Sequence, residues 1–453
     1  MEELRLTFIT LAVSSGFVLG ILAIRDFLRA LTIWVALLPL LDGLNTIPGF
    51  EQFSAVRVGT MALSFAWFLV FLNGRIRLPK SSIASSYLLF LIASVVSSLL
   101  SRDVAGSMMK LFSYAQPVLF LVLAAYAVRT SPKAFQLLLR AMVIGFVLVT
   151  LYGTLEYILQ QNPLADWGIL RVDAPYIQDS RFGISGRLVS TIGQPVYFSA
   201  YLLVGIPIAA YFQHTFVKKR ATRLVILAFI ILSFLVLILT GTRASYLSVT
   251  FMAFLYVLLF QGKIGHRVRR MFYLLAIGIA ITSMLPQAFF MFLSNSINFD
   301  EPQQAAMTNT LQRITLSGRL FEIFQANPFW GVGPGFVAHA ALSGRFMSYE
   351  GLAGLENHYL TILAEGGIVG GAAYLIFMII AFREVIKKMQ SATGHLREFC
   401  RMTIIVMSGL FVFAISCIVL TALAMNLVMV LLGLNSFVQG ENSKVVSMNN
   451  SKN

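Results

Sequence analysis

The stretch LENHYLTILAEGGIVGG (Leu355–Gly371) carries the chain from a long polar segment into an apolar one. It sets Glu356, Asn357 and His358 at the mouth of a helix that reads as membrane-spanning, then places Glu365 about two turns deeper. An ionisable group at that depth is costly in hydrocarbon, so Glu365 is expected to face a polar cavity or a partner. His358 and Glu365 are seven positions apart, which brings them within about 20° of one another on one helix face. Asn357 reads equally as an N-cap and as a substrate contact. Gly366, Gly367, Gly370 and Gly371 are expected to let a neighbouring helix come close.

The rest of the chain is of the same kind. Over 453 residues it is 58% hydrophobic and only 12% charged, with a mean hydropathy of +0.81. A soluble protein carries about 25% charged residues. Apolar runs long enough to cross a ~30 Å hydrocarbon layer recur from end to end. They lie near 6–24, 27–41, 54–72, 84–100, 108–128, 134–159, 193–213, 222–240, 244–260, 271–293, 358–382 and 402–434. The last is too long for one helix and reads as a broken helix or two short ones, giving 12 or 13 spans. The fold class expected is therefore all-α: one polytopic integral membrane domain over 1–453, a large, partly helical external loop at 294–357 before the penultimate span, and a polar tail at 435–453. Met1–Arg5 lacks a basic start, so the first span is expected to stay as an anchor. Cys400 and Cys417 have neither disulfide nor metal-ligand spacing, and no metal is expected.

The net charge of +15 sorts by loop. Basic clusters at Arg75/Arg77/Lys80, Arg129/Lys133, Lys218–Arg223, Lys263–Arg270 and Arg383–Arg401 alternate with less basic loops, which the positive-inside rule makes cytoplasmic and external respectively. That distribution accounts for the charge without nucleic acid. The external loops are then about 42–53, 101–107, 161–192, 241–243 and 294–357. Their cations are Arg102, Arg171, Arg181, Arg187, Arg243, Arg313, Arg319 and Arg345, with no Lys; Lys110 sits just inside the fifth span. A solvated surface has no reason to prefer Arg so strongly, whereas a phosphate grip has, because the guanidinium fork binds phosphate oxygens bidentately. Pairing with Asp173, Asp179, Asp300, Glu301 and Glu322, or contact with lipid headgroups, is the plainer account of any one of them. Arg243 stands in LILTGTRASYLSV, a very short turn that holds its charge at the membrane boundary.

TGTRASYLSV resembles the Arg-x-x-x-Leu element of the O-antigen ligase and polymerase superfamily, filled here by Arg243 and Leu247. LSGRLFEIFQANPFWGVGPGF resembles the element that follows, with Arg319, Pro328, Gly331, Gly333 and Gly335. ENHYLTILAEGGIVGG resembles the third, usually His-Asn-x-Tyr-Leu, then Glu, then Gly-x-x-Gly, supplying Asn357, Tyr359 and Glu365. The elements come in the family's order across about 235–375. One departure matters: Glu356 stands where the family usually has His, and this chain's His follows two residues later at His358. Either is a candidate base.

The resemblance implies a GT-C-like fold in the bacterial inner membrane with the active site facing the periplasm. It implies transfer of a glycan from undecaprenyl diphosphate to an acceptor hydroxyl, with no metal or cofactor. The acceptor is another lipid-linked repeat in polymerases and the lipid A core in ligases. A chain-length regulator is a further partner to expect. The departure at Glu356 tilts the reading towards polymerase, and a protein-glycosylating member is less expected because the chain lacks an added C-terminal portion. The chemistry needs Arg side chains to hold the diphosphate as it gains charge, and a base for the attacking hydroxyl. Arg243 with Glu356 or His358 are the catalytic candidates. Arg319, Arg313, Arg187, Arg181, Asn357 and Tyr359 are the binding candidates, with Glu365, Gly333 and Gly335 as structural support. The plainer role for Glu365 is a hydrogen bond locking its helix against the Arg243 turn. Sugar-nucleotide Asp-x-Asp and Gly-x-x-x-x-Gly-Lys motifs are absent from the sequence. A flippase of lipid-linked glycans would also be polytopic, but would place charge along a central path and show repeats.

Overall fold

Several helices in this chain start where the sequence offers an acceptor for the free N–H groups of a first turn. In the computed structural model the described residues are 2–44, 54–72, 81–170, 187–259, 317–336, 357–415 and 422–436. Asp26, Ser54, Ser81 and Asp103 each accept from the backbone N–H three residues on, opening α2 (Phe27–Leu41), α3 (Ala55–Val70), α4 (Ser82–Leu99) and α5 (Val104–Thr130). Such a cap contributes about 1 kcal/mol. α1 (Glu2–Arg25) precedes them; α6 (Ala134–Leu159) and the short α7 (Pro163–Asp166) follow. α8 (Pro195–Phe216) begins with a proline, whose missing N–H is no loss in a first turn. Then come α9 (Arg220–Leu239), α10 (Arg243–Leu259), a helix over 317–326 numbered α11, α12 (His358–Ser391), α13 (Gly394–Ala414) and α14 (Ala422–Leu434).

Six helices among the described residues are long and apolar enough to cross a bilayer: α4, α5, α6, α8, α9 and α12. Large apolar side chains lie bare on their outer faces, among them Ile92, Ile158, Leu224, Ile231 and Ile379. This is the surface expected where lipid, not water, is the solvent. The helices pair as α1 with α3, α2 with α6, α4 with α12, α5 with α14 and α10 with α13, while α8 lies between α6, α9 and α13. Small residues set the closest approaches. Gly16 and Gly20 of α1 meet Gly59 and Ala62 of α3, and Gly433 of α14 meets the Leu121 carbonyl of α5. Buried polar groups bond across helices, as with Trp34 Nε1 and Gln116 Nε2, both donating to Thr60 Oγ1.

The expected 402–434 run divides into α13 and α14. Two sequence boundaries shift. α12 continues to Ser391, so Arg383, Lys387 and Lys388 ride on its last turns instead of in a loop. Arg397 and Arg401 fall in the opening turns of α13, where Arg401 is buried. The expected span at 271–293, most of the 294–357 loop and the tail beyond Ser436 lie outside the described residues.

A Cβ on Gly59 would strike the ring of Trp34, which is fully enclosed and hydrogen-bonded, whereas one on Gly370 would meet nothing within 4 Å. Gly59→Ala should therefore cost about 1–3 kcal/mol through overpacking, and Gly370→Ala should melt close to the wild type. Thermal melts of both in detergent test this; a wild-type melt for Gly59→Ala would show that α2 and α3 do not pack this way.

Candidate functional site

α12 is two helical pieces joined at Gly367, whose φ 62° and ψ −165° are open in practice only to glycine. The break frees backbone groups that a continuous helix would pair internally. The segment 328–333 takes them over. Ile368 N–H donates to the Pro328 carbonyl at 2.8 Å and Val369 N–H to the Phe329 carbonyl at 3.3 Å. In return Val332 N–H donates to the Ala364 carbonyl at 3.1 Å and Gly333 N–H to the Glu365 carbonyl at 2.9 Å. The approach is backbone on backbone. A Cβ on Gly331 would collide with Glu365, and one on Gly367 with Phe329 and Trp330. The NPFWGVGPG turn reaches this position because Gly331, Gly333 and Gly335 all take positive φ (68°, 102° and 75°).

The glycines after Glu365 thus serve a loop and not a neighbouring helix: Gly366 and Gly370 have open space where a Cβ would be. Glu365 also departs from the expected lock against the Arg243 turn. Its Oε2 accepts from Tyr114 Oη of α5 at 3.0 Å, and its carboxylate also accepts from the Gly335 N–H. Its backbone carbonyl takes a second bond from Ser97 Oγ of α4 at 2.7 Å. Ser101 Oγ holds the Val332 carbonyl at 2.7 Å, with Ser107 Oγ donating to Ser101 Oγ at 3.0 Å. Glu365, Gly333 and Gly335 therefore form one assembly with the facing ends of α4 and α5.

Two cations missed by the loop-based reading stand beside it. Lys110, one turn before Tyr114 on α5, is close enough to Glu365, His358 and Arg57 to act on each electrostatically. Arg57, in the first turn of α3, donates from Nη2 to Ser113 Oγ at 3.2 Å. Both are half-buried. The available signal was a Lys and a Tyr four apart in an apolar run, and an Arg opening another. Tyr114 carries a hydroxyl where Leu would otherwise serve.

The remaining candidates occupy distinct places. His358 is buried, with Nε2 at 3.2 Å from Tyr374 Oη on the far side of the kink. Asn357 caps α12, its Oδ1 accepting from the N–H groups of Tyr359 and Leu360 at 3.1 Å each. Tyr359 Oη donates to the Phe411 carbonyl at the end of α13. Arg319 lies on the exposed face of α11. Arg187 is committed to the turn before Arg243: Nε donates to the Thr240 carbonyl at 2.8 Å and Nη2 to Thr242 Oγ1 at 3.1 Å. Arg243 opens α10, and its side chain is outside the described set. Glu356, Arg313 and Arg181 also lie outside the described residues.

Arg187 is itself positioned by a buried carboxylate within a span. Glu156 of α6 accepts from Ser190 N–H at 2.6 Å and Val189 N–H at 3.2 Å. Asn162 Nδ2 holds the Ser190 carbonyl at 3.1 Å, and Thr191 Oγ1 donates to the Pro39 carbonyl at 2.9 Å. The 187–192 segment is thereby pinned to α2 and α6, and it carries Arg187 onto the 240–242 turn.

Among the described residues, an all-helical bundle with six helices apolar and long enough to cross a bilayer, and a polar cluster around a glycine-kinked helix, is the build of a membrane protein. Residues 228–375, the region bearing the three motif elements, match the family described as O-antigen ligase. The chain is also similar to the ComP-specific O-oligosaccharyltransferase of Acinetobacter baylyi (strain ATCC 33305 / BD413 / ADP1), 25% identical over 234 residues, which is 48% of this chain and 39% of that protein. The match thus spans about two fifths of that relative's length.

Gly367→Ala combines forbidden backbone geometry with a collision against Phe329, so the 328–335 segment should detach. The expected cost is at least about 3 kcal/mol, since up to four membrane-depth backbone bonds are lost together. Limited proteolysis within 317–336 should become faster than in the wild type or in Gly366→Ala. Equal protection in all three would refute the docking.

Proposed function

We propose that this chain is a membrane glycosyltransferase that moves a glycan from undecaprenyl diphosphate to an acceptor hydroxyl on the periplasmic face of the inner membrane. The observation that carries this reading is the charge at the motif end of the bundle: Lys110 sits half-buried beside a carboxylate, Glu365, which already accepts hydrogen bonds, and a second half-buried cation, Arg57, lies near Lys110. Cations held at membrane depth are expensive unless they meet an anion. A lipid diphosphate brings one to that depth. Lys110 and Arg57 would steady it from α5 and α3, and Arg243, Arg319, Arg313, Arg187 and Arg181 from the loops. Arg187 also braces the Arg243 turn. Arg243 would meet the charge that develops as the glycosidic bond breaks.

For the base, the burial of His358 supports reading Glu356 in that role. His358 is buried against Tyr374 Oη, which makes it a part that fixes the mouth of α12 rather than one free to reach a hydroxyl. Glu356 directly precedes Asn357 in the sequence. With Glu in the place of the family's usual His, polymerisation of lipid-linked repeat units is the first reading. Transfer to lipid A core is the second, supported by the ligase description of the matched family. Transfer to a protein hydroxyl is a third, supported by the name of the Acinetobacter relative.

The deciding assay is the full-length protein in liposomes with one lipid-diphosphate-linked repeat unit. A ladder of longer lipid-linked products marks a polymerase. Consumption only on adding lipid A core, or only on adding an acceptor protein, marks the corresponding ligase. Movement of the donor between leaflets without consumption would sink the enzyme reading.

In that assay Lys110→Met should lower kcat/KM by about 10–100-fold, the loss of one charge-assisted contact. Glu356→Gln should lower kcat by about 10²–10⁴-fold, with His358→Gln acting mainly on the melt. The reverse pattern would make His358 the base.

A further inference from the structure

At the end of the bundle opposite Glu365, four helix ends enclose a cavity of about 50 Å³. That is room for on the order of four waters. Its lining joins Arg129 from the last turn of α5, Glu384 and Lys388 one turn apart near the end of α12, Ser81 and Ser82 at the start of α4, and Ser436 just past α14. Lys388 lies close enough to Arg129 and Glu384 to feel both charges. Ser81 Oγ is occupied in capping Ala84 N–H, so the N–H groups of Ser82 and Ile83 keep no intrahelical acceptor, and they lie at the positive end of the α4 dipole. Ser436 Oγ is buried and has no hydrogen-bond partner among the described residues.

These groups are donors in excess: two cations, a helix N-terminus and a hydroxyl, against the single carboxylate of Glu384. That balance suits one negative charge better than two. The site also lies at helix ends flanked by bare apolar faces, so anything that fills it from the side carries hydrocarbon. We propose that this cavity binds the phosphodiester headgroup of a phospholipid from the leaflet at that end of the bundle. Basic pockets between transmembrane helices bind lipid headgroups in this way. The inference rests on the chain being embedded in a membrane, and not on glycan transfer.

The test uses full-length protein, delipidated in detergent and titrated with dioleoylphosphatidylglycerol, with bound lipid read by native mass spectrometry. Arg129→Gln/Lys388→Gln should bind about tenfold more weakly, since each interfacial cation contributes to headgroup attraction. Lys219→Gln/Arg220→Gln, on the basic α8–α9 turn, should bind as the wild type does. Should the first double variant fail to fold, Ser436→Leu fills the cavity while keeping its charges and should weaken binding comparably. Undiminished lipid binding in both cavity variants overturns the proposal. So does inorganic phosphate that competes as well as the lipid, which would make the site one for a free anion. The Ser436→Leu protein should still consume the lipid-diphosphate donor in liposomes, so a failed lipid titration and a failed transfer reaction are separable results.

Discussion

In hydrocarbon a backbone N–H or C=O without a partner costs several kcal/mol, so a helix can break at membrane depth only if other backbone replaces what it loses. At Gly367 the replacement comes from the other motif element. Pro328 and Phe329 supply carbonyls, Val332 and Gly333 supply N–H groups, and the two segments pair backbone to backbone across the break. Everything else at this end depends on that exchange. It fixes where Glu365 points and brings the Gly335 N–H to its carboxylate. It also draws Ser97, Ser101 and Ser107 in from α4 and α5. Two motifs that look separate in sequence, the GVGPG turn and the AEGG helix, are halves of one structure.

The same economy governs the charges. Glu156 and Glu365 are both buried carboxylates in helices, and each accepts backbone N–H groups from a segment outside its own helix. Glu156 holds the 189–190 peptide groups and so aims Arg187 at the end of α9, while Glu365 holds the end of the GVGPG turn next to Lys110. In each case a buried carboxyl group accepts donors from a loop, and the loop is thereby held beside a cation. This explains why a chain so poor in charge keeps carboxylates in its spans.

The helical fold was legible because most of the described helices are long apolar runs, several of them opened by Ser, Asp, Asn or Pro, and among the described residues the expected runs overlie the observed helices closely. The split of 402–434 was foreseeable from length alone. The ends of α12 and α13 were not, because Arg383, Lys387 and Lys388 read as loop residues, although long cationic side chains can stay helical while their heads reach the interface. At the site, the importance of Glu365 and the glycines could be read from sequence. Their partner could not: one-dimensional spacing ties Glu365 to its own helix, and nothing in it says that residue 335 lies against residue 365. Lys110 and Arg57 were missed for the opposite reason. A search for phosphate-binding cations in loops passes over cations placed within helices.

The distribution of charge along α4, α5 and α12 bears on whether an anion stops at this end or passes through. On α5 the run from Gln116 to Val128 holds no charged residue, and Gln116 itself is bonded to Thr60. On α12 none lies between Glu365 and Arg383, and on α4 none lies anywhere. The aromatic side chains of Tyr87, Phe90, Tyr374 and Phe377 pack edge to face across this middle layer. A diphosphate drawn to Lys110 would therefore meet a packed apolar wall beneath it, with no next cation until Arg129 and Lys388 at the far end. A carrier needs a graded polar route at mid-depth. Among the described residues, α5 and α12 carry charge at their two ends and an apolar layer between them, which supports the proposed reading of an anion held at one end over that of a carrier.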